Sequence, residues 1–94
     1  MVEKINDNTL KISGRIDSNN AAQFEKEMFD AAGESVTDIT IDAADAEYIS
    51  SAGLRVFLKL KKKVSGEVSV INASSDVYDI FDVTGFTSFL NVSK

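Results

Sequence analysis

The 94-residue chain has no cysteine, no histidine and no proline. Without cysteine there is no disulfide framework, no thiol nucleophile and no thiolate metal cluster, and so short a chain without bridges suits a reducing compartment. The missing histidine removes more chemistry. It excludes Ser-His-Asp and Cys-His pairs, an imidazole general base and an imidazole zinc ligand, and with them most hydrolase mechanisms. A formal net charge of −5 repels phosphate backbones and anionic lipid, so neither nucleic acid nor a membrane surface is an expected partner. No apolar run approaches the length of a membrane span. The start, Met1-Val2-Glu3-Lys4-Ile5-Asn6, places no apolar stretch behind a basic segment. The cytoplasm is the expected location.

What is present is an ordinary globular composition, 44% apolar and 27% charged, with both signs of charge interspersed. The length fits one domain over residues 1–94 on one modest core, and the expected state is a monomer without cofactor or metal. The pattern opens with two strands, residues 2–6 and 9–16, joined through Asn6-Asp7-Asn8. Asn20 and Gln23 stand at capping-box spacing before a helix with Phe24, Met28 and Ala31 or Ala32 on one stripe, ended by Gly33. Val36, Ile39, Ile41 and Ala43 give a strand with period-two alternation at its core, and Ala44-Asp45-Ala46-Glu47 reads as a polar connection.

A second helix starts near Ser51. Gly53, Val56, Phe57, Leu60 and Val64 form its apolar stripe, with Arg55, Lys59, Lys62 and Lys63 toward the other side. Val68, Val70 and Ile71 make a strand. Ser74 or Ser75 caps a third helix carrying Val77, Ile80 and Phe81, Gly85 ends it, and a short strand around Phe89, Leu90 and Val92 closes the chain. The order β-β-α-β-α-β-α-β implies a mixed α/β sheet of four to five strands packed with three to four helices, its central neighbours parallel and its crossovers right-handed.

Ser50-Ser51-Ala52-Gly53 lies where a strand runs into a helix, where a serine hydroxyl ordinarily caps free backbone N–H groups. The same place suits a phosphate, because oriented N–H groups and the helix dipole stabilise an anion. Three separated blocks favour the second possibility. Tyr48-Ile49-Ser50-Ser51-Ala52-Gly53-Leu54-Arg55-Val56, preceded by Asp42 at a strand end, resembles the signature of bacterial anti-sigma factor antagonists of the STAS domain family. Leu10-Lys11-Ile12-Ser13-Gly14-Arg15-Ile16-Asp17 resembles that family's second strand and corner, and Val83-Thr84-Gly85-Phe86 its Thr-Gly-Leu turn.

The resemblance implies a non-catalytic partner-switching protein. Unphosphorylated, such a protein binds an anti-sigma factor that is also an ATP-dependent serine kinase, so that a sigma factor is released; phosphorylated, it dissociates until a serine phosphatase restores it. Carried over by position, the phosphorylated residue is Ser51, with Ser50 as the alternative, and the partner face comprises Asp17, Ser18, Asn19, Ser50, Ser51, Ala52, Arg55 and Lys59. Asp42 is expected to orient the loop by accepting backbone N–H bonds. Two rivals share the fold: an accessory STAS subunit of a transporter, with Ser51 as a cap only, and a nucleotide or small-ligand sensor, for which the sequence supplies no GxxxxGK[ST] cradle. A hard-metal site at Asp42, Asp45 and Glu47 lacks the glycine-kinked calcium loop. The lysines at 59 and 61–63 complement the dipole at a helix C-terminus.

Overall fold

The protein is described by a computed structural model that covers residues 1–33 and 37–94. Val36, expected in the strand after the first helix, lies outside the described residues, and that strand begins at Ile39. Strands β1 (Val2–Asn6) and β2 (Thr9–Ile16) form the opening hairpin, and helix α1 (Ala21–Ala32), strand β3 (Ile39–Ile49), helix α2 (Ser51–Lys63), strand β4 (Val68–Ile71), helix α3 (Ser75–Val83), a 3-10 turn (Phe86–Ser88) and strand β5 (Asn91–Val92) follow. Among the described residues this is one five-stranded sheet in the order β1-β2-β3-β4-β5, antiparallel at β1/β2 and parallel elsewhere.

That order decides where the helices lie. Every crossover from β2 onward moves to the next strand in the same direction, so crossovers of the usual hand put all three helices on one face. The aromatic side chains bear this out. Phe24 of α1 lies 5.9 Å from Phe57 of α2, and Phe57 meets Phe81 of α3 edge-on at 5.2 Å, all three fully buried. Beneath them Leu10, Ile41 and Val70 stand in register across β2, β3 and β4. The opposite sheet face carries Thr9, Thr40 and Ser69 in one row and Lys11, Asp42 and Ile71 in the next, all half-buried.

Strand β3 is longer than its alternation suggests. Asp42 to Asp45 faces Lys11 to Ser13, and Ala46 to Tyr48 faces Gly14 to Arg15, so β3 spends one extra residue twice. Each bulge resets the alternation: Ala43 points in, Ala44 and Asp45 out, Ala46 in, Glu47 and Tyr48 out, Ile49 in. The segment Ala44–Glu47, expected as a polar connection, is thus bulged strand, because two outward residues in succession imitate a loop. Asp42 supports the first bulge. Its carboxylate accepts the Ala44 N–H at 2.9 Å and an amide N–H of Asn72 at 3.2 Å. Asn72 itself holds a left-handed φ of 59°, which asparagine tolerates better than most residues.

Two further expectations change. Asn20 precedes α1 but makes no cap bond; its amide turns back, accepting the Asp17 N–H and donating to the Arg15 carbonyl, each at 2.9 Å. Gln23, freed from a capping box, donates instead to Glu27 at 2.9 Å. The closing strand is only Asn91–Val92, because Gly85 at φ 82° stops α3 and the 3-10 turn at Phe86–Ser88 uses up the residues before it. Ser74, not Ser75, caps α3, accepting the Val77 N–H at 3.2 Å.

A serine corner at the carboxyl ends of the central strands

Strands β2 and β3 are parallel and end level with one another, Ile16 opposite Ile49. Their carboxyl ends deliver two polar turns to the same end of the sheet, the usual place for a site in an α/β fold. After β2 the Asp17 carboxylate accepts the backbone N–H groups of Asn19 at 2.9 Å and Asn20 at 3.3 Å, so Asp17, Ser18 and Asn19 form a locked turn with Ser18 and Asn19 exposed. After β3 the chain enters α2 at once. The Ser50 N–H donates to the Ile16 carbonyl at 2.8 Å, joining the two turns directly.

The two serines have different tasks. Ser50 is the N-cap, with extended backbone, and its Oγ accepts the Gly53 N–H at 3.3 Å. Ser51 is the first helical residue, exposed, and its hydroxyl makes no hydrogen bond among the described residues. The helix sits tightly on the strand ends below. A Cβ at Gly53 would come within 2.6 Å of Ile16 Cγ2 and 2.9 Å of Ile49 Cγ2, so only glycine lets α2 start this close to β2 and β3. Ala52 beside it is half-buried.

Farther along α2, Arg55 and Lys59 are both exposed. The Lys59 ammonium is engaged, 2.7 Å from the Glu25 carboxylate of α1, whereas Arg55 has no ion-pair partner among the described residues. Two other lysines of the cluster are engaged within the fold as well: Lys61 donates to the Gly66 carbonyl at 3.0 Å and Lys63 lies over the Phe29 ring, 5.7 Å from its centroid, while Lys62 is exposed.

Asp42 lies away from this corner. Its carboxyl is held below the usual range, first by the Ala44 N–H and then by the Asn72 amide and the Lys11 ammonium, against a partial desolvation that pushes the other way. What it orients by these bonds is the bulge of β3 and the connection after β4; the serine corner is tied instead by the Ile16 carbonyl. Asp45 pairs with Lys11 at 2.9 Å on the open sheet face, which raises the pKa of Lys11. No cluster of carboxylates suited to a metal ion occurs among the described residues.

Sequence reasoning passed over one pair. The Arg15 guanidinium lies over the Tyr48 ring, 4.6 Å from its centroid, where β2 and β3 approach their ends. Both sit one residue before Ile16 and Ile49, which pair directly, and that equal offset is the signal that could have shown it.

Along its entire length, residues 1–94, the sequence matches the STAS domain family. The chain belongs to that family. Among its relatives, an anti-sigma-B factor antagonist of Bacillus subtilis is 32% identical over 91 residues, covering 94% of this chain and 83% of that protein. BtrV of Bordetella bronchiseptica, described as a candidate anti-sigma factor antagonist, is 33% identical over 86 residues, covering 88% of this chain and 74% of BtrV. The fold is similar to that of the anti-sigma factor antagonist SpoIIAA in its unphosphorylated form, with a TM-score of 0.73 at 16% identity over 100% of this chain and 87% of SpoIIAA. The five-stranded mixed sheet with three helices is therefore a STAS fold. In this STAS domain no described helix is long and apolar enough to cross a membrane.

Proposed function

We propose that this STAS domain is an anti-sigma factor antagonist that works by partner switching. With Ser51 unmodified it binds an anti-sigma factor that is also a serine kinase, and a sigma factor is released. With Ser51 phosphorylated it dissociates, and a serine phosphatase restores the binding form. The observation that carries this reading is the division of labour at the corner: Ser50 holds the helix cap, while the Ser51 hydroxyl stands exposed on the first helical residue. In the modification, Ser51 Oγ attacks the γ-phosphorus of ATP, the new O–P bond forms as the bond to ADP breaks, and the hydroxyl proton passes to a base of the kinase. This chain is the substrate of that step.

The change is local and large. A phosphate adds about −1.5 to −2 charge and three acceptor oxygens to a face that also includes Asp17, Ser18, Asn19, Ala52 and Arg55. The strand order favours protein binding over nucleotide sensing, because it runs without reversal and so makes no switch-point crevice. Incubation with the cognate kinase and ATP, followed by mass-spectrometric mapping, is expected to place one phosphate on Ser51, and Ser51→Ala to abolish it. Ser51→Asp is expected to weaken kinase binding at least tenfold, about 1.4 kcal/mol. Phosphate on Ser50 alone, or unchanged affinity of Ser51→Asp, would overturn the proposal.

A further inference from the structure

We infer that Arg55 is an intramolecular receptor for the phosphate on Ser51, so that phosphorylation removes a cation from the binding face as well as adding an anion to it. The inference rests on Ser51 being the modified residue, but its own support is separate. Ser51 and Arg55 are both exposed and four residues apart in α2, hence neighbours on its outer surface. The acidic group would precede the basic one along the chain, the more favourable order for such a pair.

The neighbouring cations are not equivalent. Lys59, one turn farther on, is engaged by Glu25 at 2.7 Å, whereas Arg55 has no carboxylate partner among the described residues. The chain contains just two arginines, and the other, Arg15, lies over Tyr48 on β3. A guanidinium presents two parallel N–H donors that match phosphate oxygens, which an ammonium cannot do. Ser50 keeps the cap bond to Gly53, so Ser51 can turn toward Arg55 without loosening the helix start.

The two states then differ in what Arg55 offers. With Ser51 unmodified, the guanidinium is an exposed cation beside the corner of a chain of net charge −5, and it suits a carboxylate on the partner. With phosphate present, the same guanidinium is turned inward on its own helix. No covalent bond changes in this capture; it is ion pairing and hydrogen bonding alone.

The test uses the full chain carrying phosphoserine installed at position 51 during synthesis, so that no kinase is needed. Phosphorus NMR titration should give a second phosphate pKa a few tenths of a unit lower in the parent than in Arg55→Gln, the scale of an exposed pair one turn apart. Arg55→Lys should recover part of the difference, and 0.5 M salt should shrink it. Arg55 is exposed, so these variants are expected to fold. Equal titration midpoints in the parent and Arg55→Gln would overturn the inference. Failure of every cognate kinase to modify Ser51 would instead remove the proposed function and leave the titration difference standing.

Discussion

At the scale of single residues, adjacent serines of the same chemistry are separated by one backbone step into a structural and an exposed hydroxyl. Ser50 has extended backbone and accepts the Gly53 N–H; Ser51 is already helical and points outward. Their substitution should therefore differ in stability. Ser50→Ala is expected to cost about 1 kcal/mol, the usual loss on removing a helix cap, and Ser51→Ala less than about 0.5 kcal/mol, as for an exposed site without partners. Urea denaturation of the two variants checks this. An equal loss at both positions would show that Ser51 shares the cap, which is the role given to it in the transporter-subunit alternative.

At the scale of elements, β3 depends on a carboxylate. Asp42 accepts the Ala44 N–H at the first bulge and is tied to Asn72 in the connection after β4, and its pKa is lowered chiefly by that backbone bond. A carboxyl whose folded pKa is depressed adds stability that is complete above its unfolded pKa, near 3.9, and is lost as pH falls through the folded value. Asp42→Ala should thus be destabilised on the order of 1 kcal/mol at pH 7. The gap to the parent should narrow below about pH 4, where the unfolded chain takes up the proton before the folded carboxyl does. Denaturation midpoints measured from pH 7 down to pH 3 test both points.

At the scale of the molecule, three helices on one sheet face share a single aromatic row, and Phe57 stands at its centre between Phe24 and Phe81. Phe57→Ala should cost about 3–5 kcal/mol, since the cavity would open where all three helices meet. Domains of this size hold roughly 5–15 kcal/mol in total, so that variant should lose a large share of its stability and melt at a clearly lower temperature. Thermal denaturation followed by circular dichroism would show it. A one-faced arrangement also explains the corner. Parallel neighbours whose following helices lie on the same side release their chains at the same end of the sheet, so the Asp17–Asn19 turn and the Ser50–Ala52 turn stand side by side.

The sequence by itself determined the elements and the candidate serine. Period-two and three-and-four spacings place β2, α1, α2 and α3 because they reflect which residues must leave water, and the blocks around Gly14, Ser51 and Gly85 are local strings that survive without any fold. Tertiary structure decided the rest. The bulges in β3 arise from pairing with β2, so Ala44–Glu47 looked like a loop until its partner strand was known. Whether Ser50 or Ser51 takes the cap depends on the Ile16 carbonyl holding Ser50 at the strand end, a contact across 34 residues that local patterning cannot express. Lys59 and Arg55 read alike in sequence, and only the approach of α1, which brings Glu25 to Lys59, makes one an engaged ion and leaves the other exposed without a partner among the described residues.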